Sequence, residues 1–202
     1  MPVLELTQLR LKGSTADDPT LLQSLSTVRA KLQTSSQFYN CIDDPTVVYI
    51  LGIWPNLGAH LDFLASPGRD EILGPQEDML QFCWTIHVEL GGMSLLPLDA
   101  PVLAIETLRV RRDCVEAFEQ AVMRHTQQPP PGSRSFKVAH GWRCDAASGN
   151  YEALIFSGWE NVQAHITLTM SKSCNSNDVA AIDGQYETMQ VTHARNMERR
   201  KS

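Results

Sequence analysis

The chain has 202 residues, 43% of them hydrophobic and 20% charged, with 12 Gly and 11 Pro. That balance excludes disordered, fibrous and disulfide-stapled classes. The formal net charge of −6 resides in the first half: residues 1–98 carry 5 basic and 11 acidic side chains, residues 99–202 carry 12 of each. The basic cluster Arg195, Arg199, Arg200 and Lys201 reads as a solubilising tail, so no nucleic-acid partner is expected. Five cysteines, Cys41, Cys83, Cys114, Cys144 and Cys174, are spread singly and never spaced as CxxC, which points away from structural zinc and from a secreted disulfide frame. The opening Met-Pro-Val-Leu-Glu-Leu lacks a basic n-region, and no segment nears the roughly 18 apolar residues of a membrane span. A cytoplasmic protein without membrane contact is the expectation.

In chain order, a strand is expected over Val3–Lys12. A helix follows, with Asp18 as cap, Pro19 in its first turn, and Leu21, Leu25, Val28 and Leu32 on one stripe. Strands are expected at Phe38–Ile42 and Val47–Ile53 around the turn Asp43-Asp44-Pro45. A second helix starts at Trp54, with Leu57, His60, Leu61 and Leu64 facing inward. A loose stretch Ser66–Pro75 leads to a strand at Phe82–Leu90, and Gly91–Ala100 is a linker. The order then recurs: strand Val102–Arg111; a helix begun by a capping box at Asp113-x-x-Glu116 with Val115, Phe118 and Val122 inward; strands Phe136–Arg143 and Tyr151–Ser157; a helix from Trp159; a loose stretch Ser171–Gly184; and a strand Tyr186–Ala194. Pro129-Pro130-Pro131-Gly132 reads as an exposed loop.

The recurrence extends to residues. Trp54, Asn56, Ala59 and His60 match Trp159, Asn161, Ala164 and His165 at a shift of 105, His87 matches His193 at 106, and Pro2-Val3-Leu4 matches Pro101-Val102-Leu103 at 99. Such repetition is the mark of a duplicated unit, here residues 1–97 and 98–202. The order βαββαβ is the ferredoxin-like motif. A unit of this kind covers one sheet face with helices and needs a partner for the other. The expected class is therefore α+β: tandem ferredoxin-like repeats forming an intramolecular dimeric α/β-barrel.

The phrase Leu51-Gly52-Ile53-Trp54-Pro55-Asn56-Leu57-Gly58-Ala59-His60, echoed at Phe156–His165, resembles the dimeric α/β-barrel superfamily, most nearly its antibiotic-biosynthesis-monooxygenase-like branch. The chain is similar to the tandem fused form found among fungal proteins. The resemblance implies cofactor-free monooxygenases of quinone-forming pathways, polyketide cyclases, haem-degrading enzymes, isomerases, or proteins without catalysis, and fold alone does not choose among them.

Positions kept in both halves serve first what the halves share. Trp54 and Trp159 read as packing anchors or as cavity walls for a flat substrate. His60 and His165 read as satisfied core residues or as the edge of a helix–sheet pocket, where an imidazole exchanges protons near neutral pH. On the last strand, alternation puts Trp84, Ile86 and Val88 on one face and Cys83, Thr85, His87 and Glu89 on the other; His193 follows His87. Positions that break the repeat are Tyr49, able to donate to an oxyanion, His140, and Arg143, able to hold an acidic or β-diketo oxygen. No ligand spacing for a metal occurs, and no GxGxxG, P-loop or GxSxG. A haem enzyme of the family would need an axial histidine on a helix, and His60 is the candidate for it.

The leading expectation is a cofactor-independent secondary-metabolism enzyme that cyclises or rearranges a polyketide-like or aromatic small molecule. His60 or His87 would be the base and Tyr49 the oxyanion donor, with Trp54, Trp84, His140, Arg143, Trp159, His165 and His193 around the substrate. Alternatives are a cofactor-free monooxygenase oxidising a phenol or anthrone to a quinone, and a non-catalytic ligand-binding barrel, which predicts no cavity above about 300 Å3. A homodimer of such chains is a further expectation.

Overall fold

The computed structural model describes residues 1–127, 136–175 and 184–199. The fold is mixed α+β, with eight strands and five helices among the described residues. The chain divides into two compact units, Met1–Met93 with Ala194–Ser202, and Ser94–His193.

Unit 1 contains β1 (Val3–Leu11), α1 (Pro19–Leu32), β2 (Gln37–Cys41), β3 (Val47–Trp54), α2 (Leu57–Ala65), α3 (Gly68–Leu73) and β4 (Leu80–Glu89). Its strands lie in the order β4-β1-β3-β2, antiparallel throughout. Asp18 caps α1 as its sequence signals, accepting from the Thr20 N–H at 2.8 Å, and Leu21 and Leu25 are buried in a cluster with Leu9, Phe38 and Leu80. The second helix differs from expectation. Trp54 is the last residue of β3, paired with Val3, and Asn56 caps α2 by accepting from the Ala59 N–H at 2.8 Å. An indole side chain has no acceptor for an orphan helix N–H, whereas Asn has. On α2 the buried residue is His60, while Leu61 and Leu64 are exposed. The stretch expected to be loose folds as α3 and one 3-10 turn, Gly74–Gln76.

Unit 2 contains β5 (Val102–Val110), α4 (Val115–Gln127), β6 (Val138–Trp142), β7 (Tyr151–Trp159), α5 (Val162–Asn175) and most of β8 (Tyr186–Asn196). The strand order is β8-β5-β7-β6. The capping box does not form: Asp113 accepts from the Arg111 guanidinium, and a 3-10 turn over Arg112–Cys114 precedes α4. Asn161 caps α5 as Asn56 caps α2, accepting from the Ala164 N–H at 2.8 Å. The Pro129–Gly132 loop and most of the Ser171–Gly184 stretch lie outside the described residues. β8 ends beyond the expected Ala194, and its last residues, Ala194–Asn196, pair with β2 inside unit 1, which gives unit 1 the tail that a division at 97/98 leaves with the second half.

Two glycines in matching surroundings carry unequal constraints. A Cβ on Gly158 would lie 2.7 Å from the Cβ atoms of Ala100 and Phe136 and 2.9 Å from that of Pro97, whereas one on Gly52 would meet the rotatable Ser36 hydroxyl at 2.8 Å. Gly158→Ala is expected to cost about 1–3 kcal/mol by overpacking, and Gly52→Ala less; thermal unfolding followed by circular dichroism checks the order.

Candidate functional site

Alternation along β1 sets Val3, Glu5, Thr7 and Leu9 on one face, and the register places Gly52, Ile50, His87 and Thr85 beside them. This is the face that α1 and α2 cover; Glu89 stands at its end beside Val3 and Glu5 further in, beside His87. Glu5 Oε2 accepts from the Trp54 indole N–H at 2.6 Å and faces His60 Nε2 at 3.7 Å. Glu5 Oε1 accepts from the Thr7 hydroxyl at 2.6 Å, and Thr7 shares a 2.6 Å hydrogen bond with Thr85. His60 Nδ1 is 2.6 Å from His87 Nε2, and the His60 ring lies on Trp54 with centroids 4.4 Å apart and planes 16° apart. The proton arrangement that suits the Glu5 carboxylate has His87 Nε2–H donating to His60 Nδ1, so that His60 keeps its proton on Nε2.

The site opens on a cavity of about 350 Å3 inside unit 1, above the size at which ligand sites begin. Glu5, Trp54, His60 and Thr85 form its polar wall, and Leu25, Val28, Leu32, Phe38, Ile50 and Phe63 supply apolar lining. At 3.7 Å from Glu5 Oε2 the His60 Nε2–H lacks a well-formed acceptor, and both residues line the cavity, where one ligand atom could lie beside the two of them.

Unit 2 repeats the chain of groups with one exchange. His165 Nδ1 is 2.9 Å from His193 Nε2, and His165 Nε2 is 3.2 Å from Glu106 Oε1. Yet Glu106 is the counterpart of Thr7, not of Glu5: it pairs with Ile155, as Thr7 pairs with Ile50. The counterpart of Glu5 is Ala104, and the Trp159 indole N–H donates instead to Ser157 at 2.8 Å. Glu5 faces Gly52 across the strands and Ala104 faces Ser157, so the acceptor for the tryptophan has changed sides of one cross-strand pair.

The structure brings His60, His87 and Trp54 together in unit 1, and His165, His193 and Trp159 in unit 2. Tyr49 and Trp84 it places elsewhere: they lie across the sheet from Glu5, with ring centroids 6.2 Å apart, so Tyr49 cannot serve an oxyanion formed beside His60. A register shift between Gln8 and Leu9 also pairs Leu9 with Phe82 and leaves Cys83 out of the His87 face. His140 shares a rung with Ile155 and Glu106. Arg143 is spent on Asp145 at 2.7 Å and Glu152 at 2.8 Å, closing the β6–β7 turn. Glu5, Thr7 and Glu106 escaped the sequence reading. Their signal was one glutamate in each opening strand, two positions out of step with the repeat.

Haem ligation does not fit His165, and a carboxylate crowds the corresponding nitrogen of His60. An axial ligand presents an open ring nitrogen: His165 turns both of its nitrogens to His193 and Glu106 at 2.9 and 3.2 Å, and beside His60 the Glu5 carboxylate stands 3.7 Å from Nε2. Among the described residues no group of three or more His, Cys, Asp or Glu is arranged to hold a metal ion.

Burial lowers the basicity of His60, with the Glu5 charge opposing and His87 reinforcing the effect; burial likewise lowers that of His140. Both folded-state values fall below the ordinary 6.5, so the unfolded chain binds more protons as pH drops through that value. The stabilising neutral forms are fully present above about 6.5 and lost below it. Urea unfolding at pH 7.5 and 5.5 is expected to show lower stability at the acid value, with a smaller difference in His60→Gln, where His140 alone of the two still contributes.

No family model matches the chain, and no curated protein matches it. Solved structures do. An anthrone oxidase-like protein aligns with a TM-score of 0.66 at 11% identity over 96% of this chain and 91% of its own. A candidate monooxygenase from Fusobacterium nucleatum aligns at 0.65 and 9% identity over 98% and 93%. A mutant chlorite dismutase from Candidatus Nitrospira defluvii aligns at 0.60 and 11% identity over 98% and 92%. These neighbours are dimeric α/β-barrel proteins, and the likeness is one of fold.

Proposed function

We propose that the chain is a cofactor-independent enzyme that removes a proton from an apolar, ring-bearing small molecule held in the unit 1 cavity. One observation carries the reading: a partly buried carboxylate and an imidazole nitrogen stand 3.7 Å apart at the wall of a largely apolar cavity. Glu5 Oε2 takes the proton from an acidic C–H or phenolic O–H, and the electron pair remains on the substrate as an enolate or phenolate. The His60 Nε2–H donates to the oxygen that gains charge. The acceptor role expected of His60 thus passes to Glu5, and the donor role expected of Tyr49 passes to His60. His87 is a positioning residue that fixes the His60 tautomer, and Trp54 fixes its plane.

An enolate made this way attacks a carbonyl carbon of the same molecule in a cyclisation or aldol-type closure, the leading reading. The second reading, oxidation of a phenol or anthrone by dioxygen, shares the first step and is supported by the likeness to an anthrone oxidase-like fold. The matched order of elements supports a tandem origin for residues 1–97 and 98–202, with the units as halves of an intramolecular dimeric α/β-barrel. No helix among the described residues is long and apolar enough to cross a membrane, and Cys41, Cys83 and Cys114 are free thiols, which supports a reducing, cytoplasmic setting.

The test is anaerobic deuterium exchange at C10 of anthrone, followed by proton NMR. The protein is expected to accelerate exchange, and Glu5→Gln or His60→Gln to slow it by roughly 100-fold with folding intact by circular dichroism. Exchange no faster than in buffer, or equal in Glu5→Gln, overturns the reading in favour of a non-catalytic binder. Oxygen uptake on admitting air separates oxidation from cyclisation.

A further inference from the structure

The cavity has two arginines in its lining, Arg29 and Arg69, and their circumstances differ. Arg29 is committed: its guanidinium forms a two-pronged contact with Glu198 at 2.6 and 2.7 Å, donates to the Ser36 carbonyl at 3.0 Å, and lies 4.8 Å over the Phe38 ring. Arg69 pairs through one nitrogen with its chain neighbour Asp70, whose side chain is 80% exposed. An exposed contact of that kind is worth little and is readily exchanged. The Arg69 guanidinium has donors beyond the one given to Asp70, and its side chain is 40% exposed against 15% for Glu5, which sets it nearer the cavity mouth.

Charge along the cavity is therefore ordered. The inner wall holds the Glu5 carboxylate, which repels an anion. Arg69 lines the more exposed part, together with Glu77, an acidic residue whose backbone carbonyl also binds the Lys12 ammonium at 2.7 Å. We propose that Arg69 is a specificity-determining residue, and that the substrate is an aromatic or polyketide-like molecule bearing a carboxylate at the end remote from its reacting position. Arg69 binds that carboxylate in a two-pronged contact, the apolar body fills the lining between Leu25 and Phe63, and repulsion from Glu5 forbids the reversed pose. The inference rests on the reading of the cavity as a substrate site and deepens it to a substrate class.

The probes are 1-naphthoate and its neutral counterpart 1-naphthamide, titrated calorimetrically into the full chain. The wild type is expected to bind naphthoate roughly tenfold more tightly than naphthamide. Arg69→Gln should erase that preference without weakening naphthamide, and Arg69→Lys should restore part of it. A wild type without preference, an Arg69→Gln variant that keeps it, or a chain that binds neither probe overturns the proposal. Glu5→Gln separates the two readings: it should still prefer naphthoate while losing anthrone exchange. Retained exchange there defeats the proton-abstraction mechanism alone, and lost preference in Arg69→Gln with exchange intact leaves that mechanism standing.

Discussion

A carboxylate placed on the helix-covered face of a sheet is costly unless every lone pair finds a donor. Glu5 finds three: the Trp54 indole, the Thr7 hydroxyl and, more distantly, the His60 ring. These partners fix much else. Trp54 must end β3 opposite Val3 to reach Glu5, and its ring then becomes the surface on which His60 lies. His60 must be the buried residue of α2, which requires α2 to begin just after Trp54, and Asn56 supplies the cap that starts it there. The short phrase from Trp54 to His60 is thus a set of instructions for surrounding one negative charge.

Unit 2 uses the same phrase around a different solution. Its tryptophan is satisfied by Ser157 and its histidine by Glu106, so no carboxylate serves both. The imidazole and carboxylate sit closer there, 3.2 Å against 3.7 Å in unit 1, which is hydrogen-bond contact and leaves no gap for a third group. The histidine pair is common to both units while its surroundings differ, and the wider-spaced imidazole and carboxylate of unit 1 border a cavity.

Much of this was legible beforehand where local chemistry decides it. Asp18-Pro19 marks a helix start in any context, and the repeated Trp, Asn and His mark matching positions in the two units. What escaped depended on register. Glu5 reads as one polar residue in an apolar strand until Val3 is known to face Trp54, and Tyr49 looks suited to an oxyanion until the pleat turns it to the far side. The irregularity between Gln8 and Leu9 moves Cys83 off the His87 face, and nothing in the residues of β4 announces it. The helix at Gly68–Leu73 was hidden by flanking Pro67 and Gly74, which read as loop signals although they bound a helix of six residues.

The closing residues of β8 have a bearing on how the protein can be handled. Ala194–Asn196 extend the ladder beyond β2, the Met197 N–H donates to the Phe38 carbonyl at 2.8 Å, and Glu198 holds Arg29. A recombinant fragment stopped at the inter-unit linker would thus expose the β2 edge to aggregation and deprive one cavity wall of its brace. Engineers wishing to express the first unit by itself would do better to graft residues 194–199 onto it than to cut at the apparent midpoint.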